Sequence, residues 1–437
     1  MRGLQSKRNE IPRRGSLYNA VVISLSLTFA PLWVMGSFFD IDVFGSMIWF
    51  DDTAWCDAPD EGIGDHCFGD FNERVAPDYT DPIFPPYRSN METTLVAPFL
   101  TPVLNYFSGL ASPRAILVSW LFFMLAYSLA SVLTTPASSF ALKFKISAVV
   151  LFGGYPWLVA VDRLNYVLLA CLPLVHLVSA ASKSREKQTG ILIVALACIK
   201  PHFLLLLLVF AAVRSWANFM RFLAIGLVAV TSLIILPAEA WMPRLRDYFA
   251  VTSDYGAFRG VSSTLGPPNA SFVAWLFELR GLGIFWIQDS FIQILAFLLP
   301  ATLCVLVVIF GTRTMDEALL VLIPIVFLGF GTYVASYYLL FSSILLVDAL
   351  ISETTGSSHL LVNMSTQQIT VTSFFAWSAL IVSQSLIIIP GPRLSEDVVR
   401  NLTPTLASCL WLAFIFLKIY RIIRSYVGTE SVETIRG

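Results

Sequence analysis

A few polar residues of this chain stand where their chemistry is either costly or usable. Residues 40 to 90 hold twelve carboxylates, from Asp40 through Asp81, against Arg74 and Arg88. Within that stretch, His66-Cys67-Phe68-Gly69-Asp70-Phe71 sets Asp70 between a glycine and two aromatics. A general base needs such a fixed position more than it needs an unusual pKa. Each of the twelve is equally at home in a solvated loop, so the segment around Asp70, not the acidity, singles it out. Lys200 lies inside the apolar stretch Thr189 to Val213. A cation there costs roughly 2.5 to 3.5 kcal/mol to insert into lipid, so it either holds an anion such as a lipid phosphate or snorkels at a helix break made by Pro201.

Three further groups are polar islands between apolar runs. Asp162-Arg163 with Asn165 follows Tyr155-Pro156-Trp157. It reads as an interfacial turn with an internal ion pair, or as a guanidinium whose fork is aimed at a phosphate. Ala257 to Ser271, AFRGVSSTLGPPNAS, offers hydroxyls, backbone donors and Arg259 as its one charge. That composition suits a sugar-phosphate contact and suits a plain structured loop equally well. Tyr333, Tyr337 and Tyr338 open a late apolar run, where an aromatic belt is expected in any case.

The elements that must position these residues are membrane helices. With 57% hydrophobic and 13% charged residues in 437, and a mean hydropathy of +0.74, the chain lies far outside soluble globular composition. Apolar runs fall near 17–39, 94–111, 115–134, 146–161, 164–181, 189–213, 222–237, 285–311, 318–332, 334–351, 370–390 and 402–420. The fold class they predict is all-α: a polytopic transmembrane protein of about ten to twelve segments with a long extracytoplasmic first loop.

Charge sets the expected orientation, although the net charge of −1 says little. Residues 1–16 carry Arg2, Lys7, Arg8, Arg13 and Arg14 against Glu10, and the last apolar run closes with Lys418, Arg421 and Arg424. Both tails, 1–16 and 421–437, are therefore expected in the cytoplasm, with the clusters Lys183, Arg185, Lys187 and Arg214, Arg221. The polar stretches 40–90 and 238–281 then fall outside a plasma membrane that the chain crosses many times. The run 17–39 is too long for a signal-peptide core and is read as a retained helix. Plain alternation puts Lys183 on the wrong side, so one element between 91 and 213 cannot be a simple crossing. A re-entrant pair, the run 189–213 folding back near Lys200 and Pro201, is the expected exception. The residues 1–437 form a single domain in this reading.

In order and spacing, these landmarks resemble the GT-C superfamily of polyprenyl-phosphate-dependent glycosyltransferases, specifically family eighty-seven, with its mannosyl- and arabinofuranosyltransferases. The matching residues are Gly69-Asp70-Phe71 after the first helix, Phe84-Pro85-Pro86-Tyr87 before the second, and Asp162-Arg163-Leu164-Asn165. Lys200-Pro201, the loop Ser262 to Ser271 and Tyr337-Tyr338 complete the set. Three features depart from the pattern: the Pro-Pro segment runs on into Arg88-Ser89-Asn90, Tyr337 stands where the family often has histidine, and the first loop is longer than in typical members, with its own pair Cys56 and Cys67.

The resemblance implies transfer of a sugar, mannose or arabinofuranose, from a polyprenyl monophosphate to a hydroxyl of a cell-envelope glycan or glycolipid, with inversion. Asp70 would be the base, and Lys200, Arg163 or Arg259 would hold the departing phosphate. Tyr87, Arg88, Asp162, Asn165, Asn269, Ser271, Tyr337 and Tyr338 would line the substrates. Neither a nucleotide sugar nor an obligatory metal is needed, and the many carboxylates leave room for a divalent cation. No nucleic-acid partner is expected. The alternative is a transporter or flippase of a lipid-linked or small polar substrate; the sequence shows none of the inverted repeats common in that class.

Of six cysteines, Cys171, Cys198, Cys304 and Cys409 lie in apolar runs, whereas Cys56 and Cys67 flank a Gly- and Asp-rich segment. A disulfide can close that spacing if the loop faces an oxidising compartment; otherwise both are free thiols. A membrane-impermeant maleimide applied to whole cells distinguishes the two. The bridge predicts labelling of Cys56 and Cys67 only after reduction, and labelling of both without reductant would show an outside, unbridged pair.

Overall fold

The computed structural model describes residues 113–134, 140, 154–162, 166–235, 270–281, 288–331, 334, 336–355, 371–390 and 399–436. Asp70, Tyr87, Arg88, Cys56, Cys67, Arg163, Asn165, Arg259 and Asn269 lie outside them. The described elements are almost wholly helical. In order they are α1 (Pro113–Leu133), α2 (Tyr155–Asp162), α3 (Cys171–Ser182, entered through the 3-10 turn Tyr166–Ala170) and α4 (Glu186–Ile199). Next come a 3-10 segment (Pro201–Leu207) running into α5 (Leu208–Ala212), then α6 (Trp216–Ile235), α7 (Ala274–Gly281), α8 (Asp289–Phe310) and α9 (Met315–Leu328). The 3-10 turn Ser336–Leu339 leads into α10 (Leu340–Thr355), followed by α11 (Val371–Gln384) and α12 (Thr403–Arg436).

Among the described residues three stretches are long and apolar enough to cross a membrane: Trp216–Leu233, Ser290–Phe310 and Thr403–Tyr426. Their exposed residues include large hydrophobic ones that a bilayer would cover, such as Ile225 and Val228 on α6 and Ile294 and Phe297 on α8. The chain is thus a helical membrane protein.

The helical class has one short local exception among the described residues. The apolar run 370–390 is not helical throughout: α11 stops at Gln384, and β1 (Ile388–Pro390) pairs antiparallel with β2 (Val399–Asn401), Ile389 opposite Arg400. Pro390, Gly391 and Pro392 cannot continue a helix, and β-branched Ile387, Ile388 and Ile389 favour the extended form. Thr403 then caps the chain's return, its Oγ1 accepting the Ile387 N–H at 2.7 Å.

The stretch 186–212 makes a hairpin. Ser184, with a positive φ of 53°, turns the chain out of α3, and Glu186 starts α4 where a carboxylate suits the helix N-terminus. Pro201 disfavours helical geometry at the residue before it, so Lys200 is extended (φ −141°, ψ 119°) and α4 ends. The 3-10 segment and α5 then run back against α4 and α6. At the base, Ser215 Oγ lies 3.5 Å from Glu186 Oε2, and Asn218 Nδ2 donates to the same carboxylate. Both ends of the hairpin therefore lie on one side of the molecule, with Lys183, Arg185 and Arg214, while Lys200 is at the tip. Each arm rises about 21 Å, short of the ~30 Å needed to cross. The fold-back expected near Lys200 and Pro201 is what the chain does.

Other contacts bring further described helix ends to the base of the hairpin. Arg214 Nη2 donates to the Ile309 carbonyl (2.5 Å), Thr312 N–H to the Ala212 carbonyl (3.0 Å), and Lys418 Nζ meets Glu317 Oε1 at 3.2 Å. The C-terminus of α8, the N-terminus of α9 and the Lys418 region of α12 thus share the base of the hairpin. Helix α1 runs in the same direction as α3, since Tyr127 donates to the Leu169 carbonyl (3.0 Å) and Thr134 pairs with His176 (3.1 Å).

Close packing at the hairpin rests on small residues. A Cβ at Gly190 would land on the ring of Phe222, which is buried and stacked at 5.7 Å on Phe210. Gly190→Leu on α4 should therefore cost roughly 1–3 kcal/mol through overpacking, read as a lower thermal midpoint in detergent, whereas Ala195→Leu on the exposed face of the same helix should change it little.

Candidate functional site

The tip of the hairpin is the chemically unusual place. Lys200 is only 5% exposed. Its Nζ donates a hydrogen bond to the hydroxyl of Tyr338 and lies 4.2 Å from the centre of the same ring. Two residues 138 apart in sequence are thus joined through one ammonium. The contact combines a charge-assisted hydrogen bond with a cation–π attraction, both strengthened where water is excluded.

Local structure explains why each partner is where it is. Lys200 keeps its N–H on the Leu196 carbonyl (3.0 Å) and gives its own carbonyl to Phe203 N–H (3.0 Å), so the helix break leaves its backbone satisfied. Its position directly after α4 also sets a positive charge at a helix C-terminus, the favourable end for a cation. Tyr338 sits in the 3-10 turn Ser336–Leu339 ahead of α10. That turn is held against α9 and α10 and against α2, the helix that ends at Asp162. Asp162 and Tyr337 therefore belong to two elements that meet beside Lys200's partner.

Ser271 is fully buried in a short segment tied to the same end of the bundle. Ala270 N–H donates to the Val334 carbonyl (2.7 Å), and Phe272 N–H to the Leu328 carbonyl (3.1 Å). The segment thus docks on the C-terminus of α9 and on the approach to Tyr338. Of the sequence-predicted site residues that are described, Lys200 and Tyr338 touch, and Asp162, Ser271 and Tyr337 lie on elements packed around them.

One residue was not singled out from sequence. His202, half-buried, has its ring centre 4.5 Å from that of Phe203 and 6.1 Å from that of Tyr338. It adds an imidazole to the ammonium and the phenol. The signal was present: a histidine in the first turn after a Lys-Pro break inside an apolar run.

Beneath the tip, rings continue the contact. Phe203 stacks on Phe327 at 4.6 Å, Phe327 meets Phe341 at 5.2 Å, and Phe341 meets Trp411 at 5.2 Å. This row ties the hairpin to α9, α10 and α12. An ammonium so held, beside an imidazole and a phenol, is suited to receive an anion of modest size, and a phosphate oxygen fits that donor set. Among the described residues no group of three or more His, Cys, Asp or Glu could hold a metal ion.

No protein-family model, curated protein or solved structure matches the chain.

The Lys200–Tyr338 contact predicts a specific pattern of unfolding energies. Tyr338→Phe keeps the ring but removes the acceptor of a buried ammonium, and should destabilise by about 1–3 kcal/mol. Lys200→Met replaces the ion with an apolar chain of similar length and should be neutral or stabilising, as for other buried ions. The double variant should fall short of the summed single effects by more than about 0.5 kcal/mol, measured as a thermal or denaturant double-mutant cycle.

Proposed function

We propose that the chain is a GT-C-type membrane glycosyltransferase of about ten to twelve segments, both tails cytoplasmic, acting at the outer face of the plasma membrane. It moves a sugar, mannose or arabinofuranose, from a polyprenyl monophosphate to a hydroxyl of a cell-envelope glycan or glycolipid. The observation that carries the reading is the buried Lys200 ammonium at the hairpin tip, held by Tyr338. It lies about 21 Å from the side that gathers Lys183, Arg185, Arg214 and Lys418. By the positive-inside rule that basic side is cytoplasmic, so the ammonium belongs to the outer half of the membrane. The acidic stretch 40–90 is assigned to the same outer side by the same rule.

In this mechanism the acceptor hydroxyl attacks the anomeric carbon from the side opposite the phosphate. Asp70 takes its proton, the bond to the phosphate oxygen breaks, and inversion follows. Negative charge grows on the leaving phosphate, and an ammonium fixed in a water-poor site stabilises that charge without reorganising. Lys200 has this role, with Arg163 and Arg259 as further candidates. Asp162, Asn165, Asn269, Ser271, Tyr337, Tyr87 and Arg88 are assigned to substrate contact. The polyprenyl tail remains in lipid.

Purified protein given radiolabelled polyprenyl-phosphate sugars and a glycan or glycolipid acceptor tests the proposal. Asp70→Asn should lower the transfer rate by about 10²- to 10⁴-fold. Lys200→Met, with the fold retained, should lower it by about 10²- to 10³-fold. Transfer that survives unchanged in the Asp70 variant would sink the role given to that residue. No transfer from any monophosphate donor, with label crossing liposomes instead, would replace the enzyme by a transporter.

A further inference from the structure

The exposed surface of α6 carries a cation where only lipid should be met. Its outward stripe runs Ala217, Met220, Arg221, Ala224, Ile225 and Val228, one face of a helix in which only 17% of the spanning window is buried. Arg221 is the charged member of that stripe. It lies five residues into the helix from Trp216, about 7.5 Å along the axis, so its long side chain reaches back to the level of lipid phosphates. Its guanidinium carbon is 5.7 Å from the Phe222 ring.

Two neighbours complete a receptor for a headgroup. Trp216 is 48% exposed at the start of α6, the level at which indoles sit in a membrane interface. Arg214 is exposed in the turn before it, in the left-handed conformation (φ 63°), fixed by its 2.5 Å bond to the Ile309 carbonyl. Glu186 accepts from Asn218 and lies 3.5 Å from Ser215 Oγ. Of the charged residues of 183–221 at the base of the hairpin, Lys183, Arg185, Lys187, Arg214 and Arg221 are basic and Glu186 alone is acidic, so the charge there favours an anion.

We infer that Arg214, Trp216 and Arg221 form a binding site for one anionic phospholipid of the leaflet on the basic side. The headgroup phosphate lies against the two guanidinium groups, and an acyl chain runs along Met220, Ala224, Ile225 and Val228. The site needs only that α6 spans the membrane, so it stands apart from the glycosyltransferase reading.

The full chain, reconstituted in phosphatidylcholine vesicles with spin-labelled phosphatidylglycerol or phosphatidylcholine, reports the selectivity as the ratio of motionally restricted lipid. The wild type should prefer phosphatidylglycerol several-fold, and Arg221→Gln and Arg214→Gln should each lower the ratio by about fivefold. Arg221→Lys, which keeps the charge, should retain part of it and guards against a folding artefact. Arg185→Gln removes an exposed charge on the same side but off α6, and should leave the ratio near the wild-type value. A ratio unchanged in the two α6-side variants, or lowered equally by Arg185→Gln, would overturn the site in favour of diffuse attraction to the leaflet. Displacement of the lipid by millimolar glycerol phosphate at constant ionic strength would show a free-phosphate site and overturn it as well.

Discussion

A backbone that turns inside an apolar bundle must satisfy its polar groups without water, and the reversal at Lys200–Pro201, where Ile199, Lys200 and Phe203 are buried, is where this chain meets that constraint. Pro201 removes an N–H and prevents α4 from continuing, so the loss has to be covered by protein. Three features do so. Lys200 keeps both its backbone bonds, its ammonium sits at the C-terminal end of α4, and the ring row from Phe203 through Phe327 and Phe341 to Trp411 packs beneath the turn. If the reversal were not packed in this way, Lys200 would have no fixed place in which to present a charge. The two arms also make its depth a matter of geometry, because both are about 21 Å long and both begin at the same base.

That base is a polar clamp. Glu186 gathers Asn218 and Ser215, and Arg214 ties the start of α6 to the C-terminus of α8 through the Ile309 carbonyl. The clamp therefore fixes the root of the hairpin against two spanning helices at once. A buried charge at the tip and a paired, partly wet network at the root place the polar groups of residues 186–218 at its two ends, with apolar packing between them. Elsewhere the helices meet through small residues: Ala376, Ala379 and Ser383 on α11, and Ala407 and Ser408 on α12, are all buried. Ser343 adds an interhelical bond to Gln384 at 2.8 Å. In lipid, close approach and such bonds replace the hydrophobic drive that is absent between helices.

The fold-back was legible because charge parity demanded it: Lys183 and Arg214 could share a side only if the run between them failed to cross. The unusual setting of Lys200 was legible from its cost in an apolar stretch. Its partner was not. Nothing local to Tyr338 distinguishes it from an aromatic belt residue, and a contact 138 residues away in sequence is made by packing, not by any pattern along the chain. His202 was overlooked for the opposite reason: the lysine and proline before it explained the helix break by themselves. The end of α11 was not legible, because hydropathy continues through Ile389 while helical geometry does not. Of the candidate catalytic centre, the cationic half is visible at Lys200 and Tyr338. The acidic half, Asp70, lies outside the described residues.

The energetic case for reading Lys200 as a ligand-binding group comes from comparing it with what could replace it. A methionine would fill the same space and fold the same hairpin without taking an ammonium out of water, and replacements of that kind are often neutral or stabilising. The phenol of Tyr338 lowers the cost of the ion but does not create a need for it, since phenylalanine would pack as well against Phe327, 6.3 Å away. The pair is therefore poorly explained as a stabilising device. It fits an ammonium kept in position by its phenol and shielded from bulk water, Lys200 being only 5% exposed. The proposed chemistry uses both properties, because a leaving phosphate is stabilised most by a charge that is already oriented and weakly solvated.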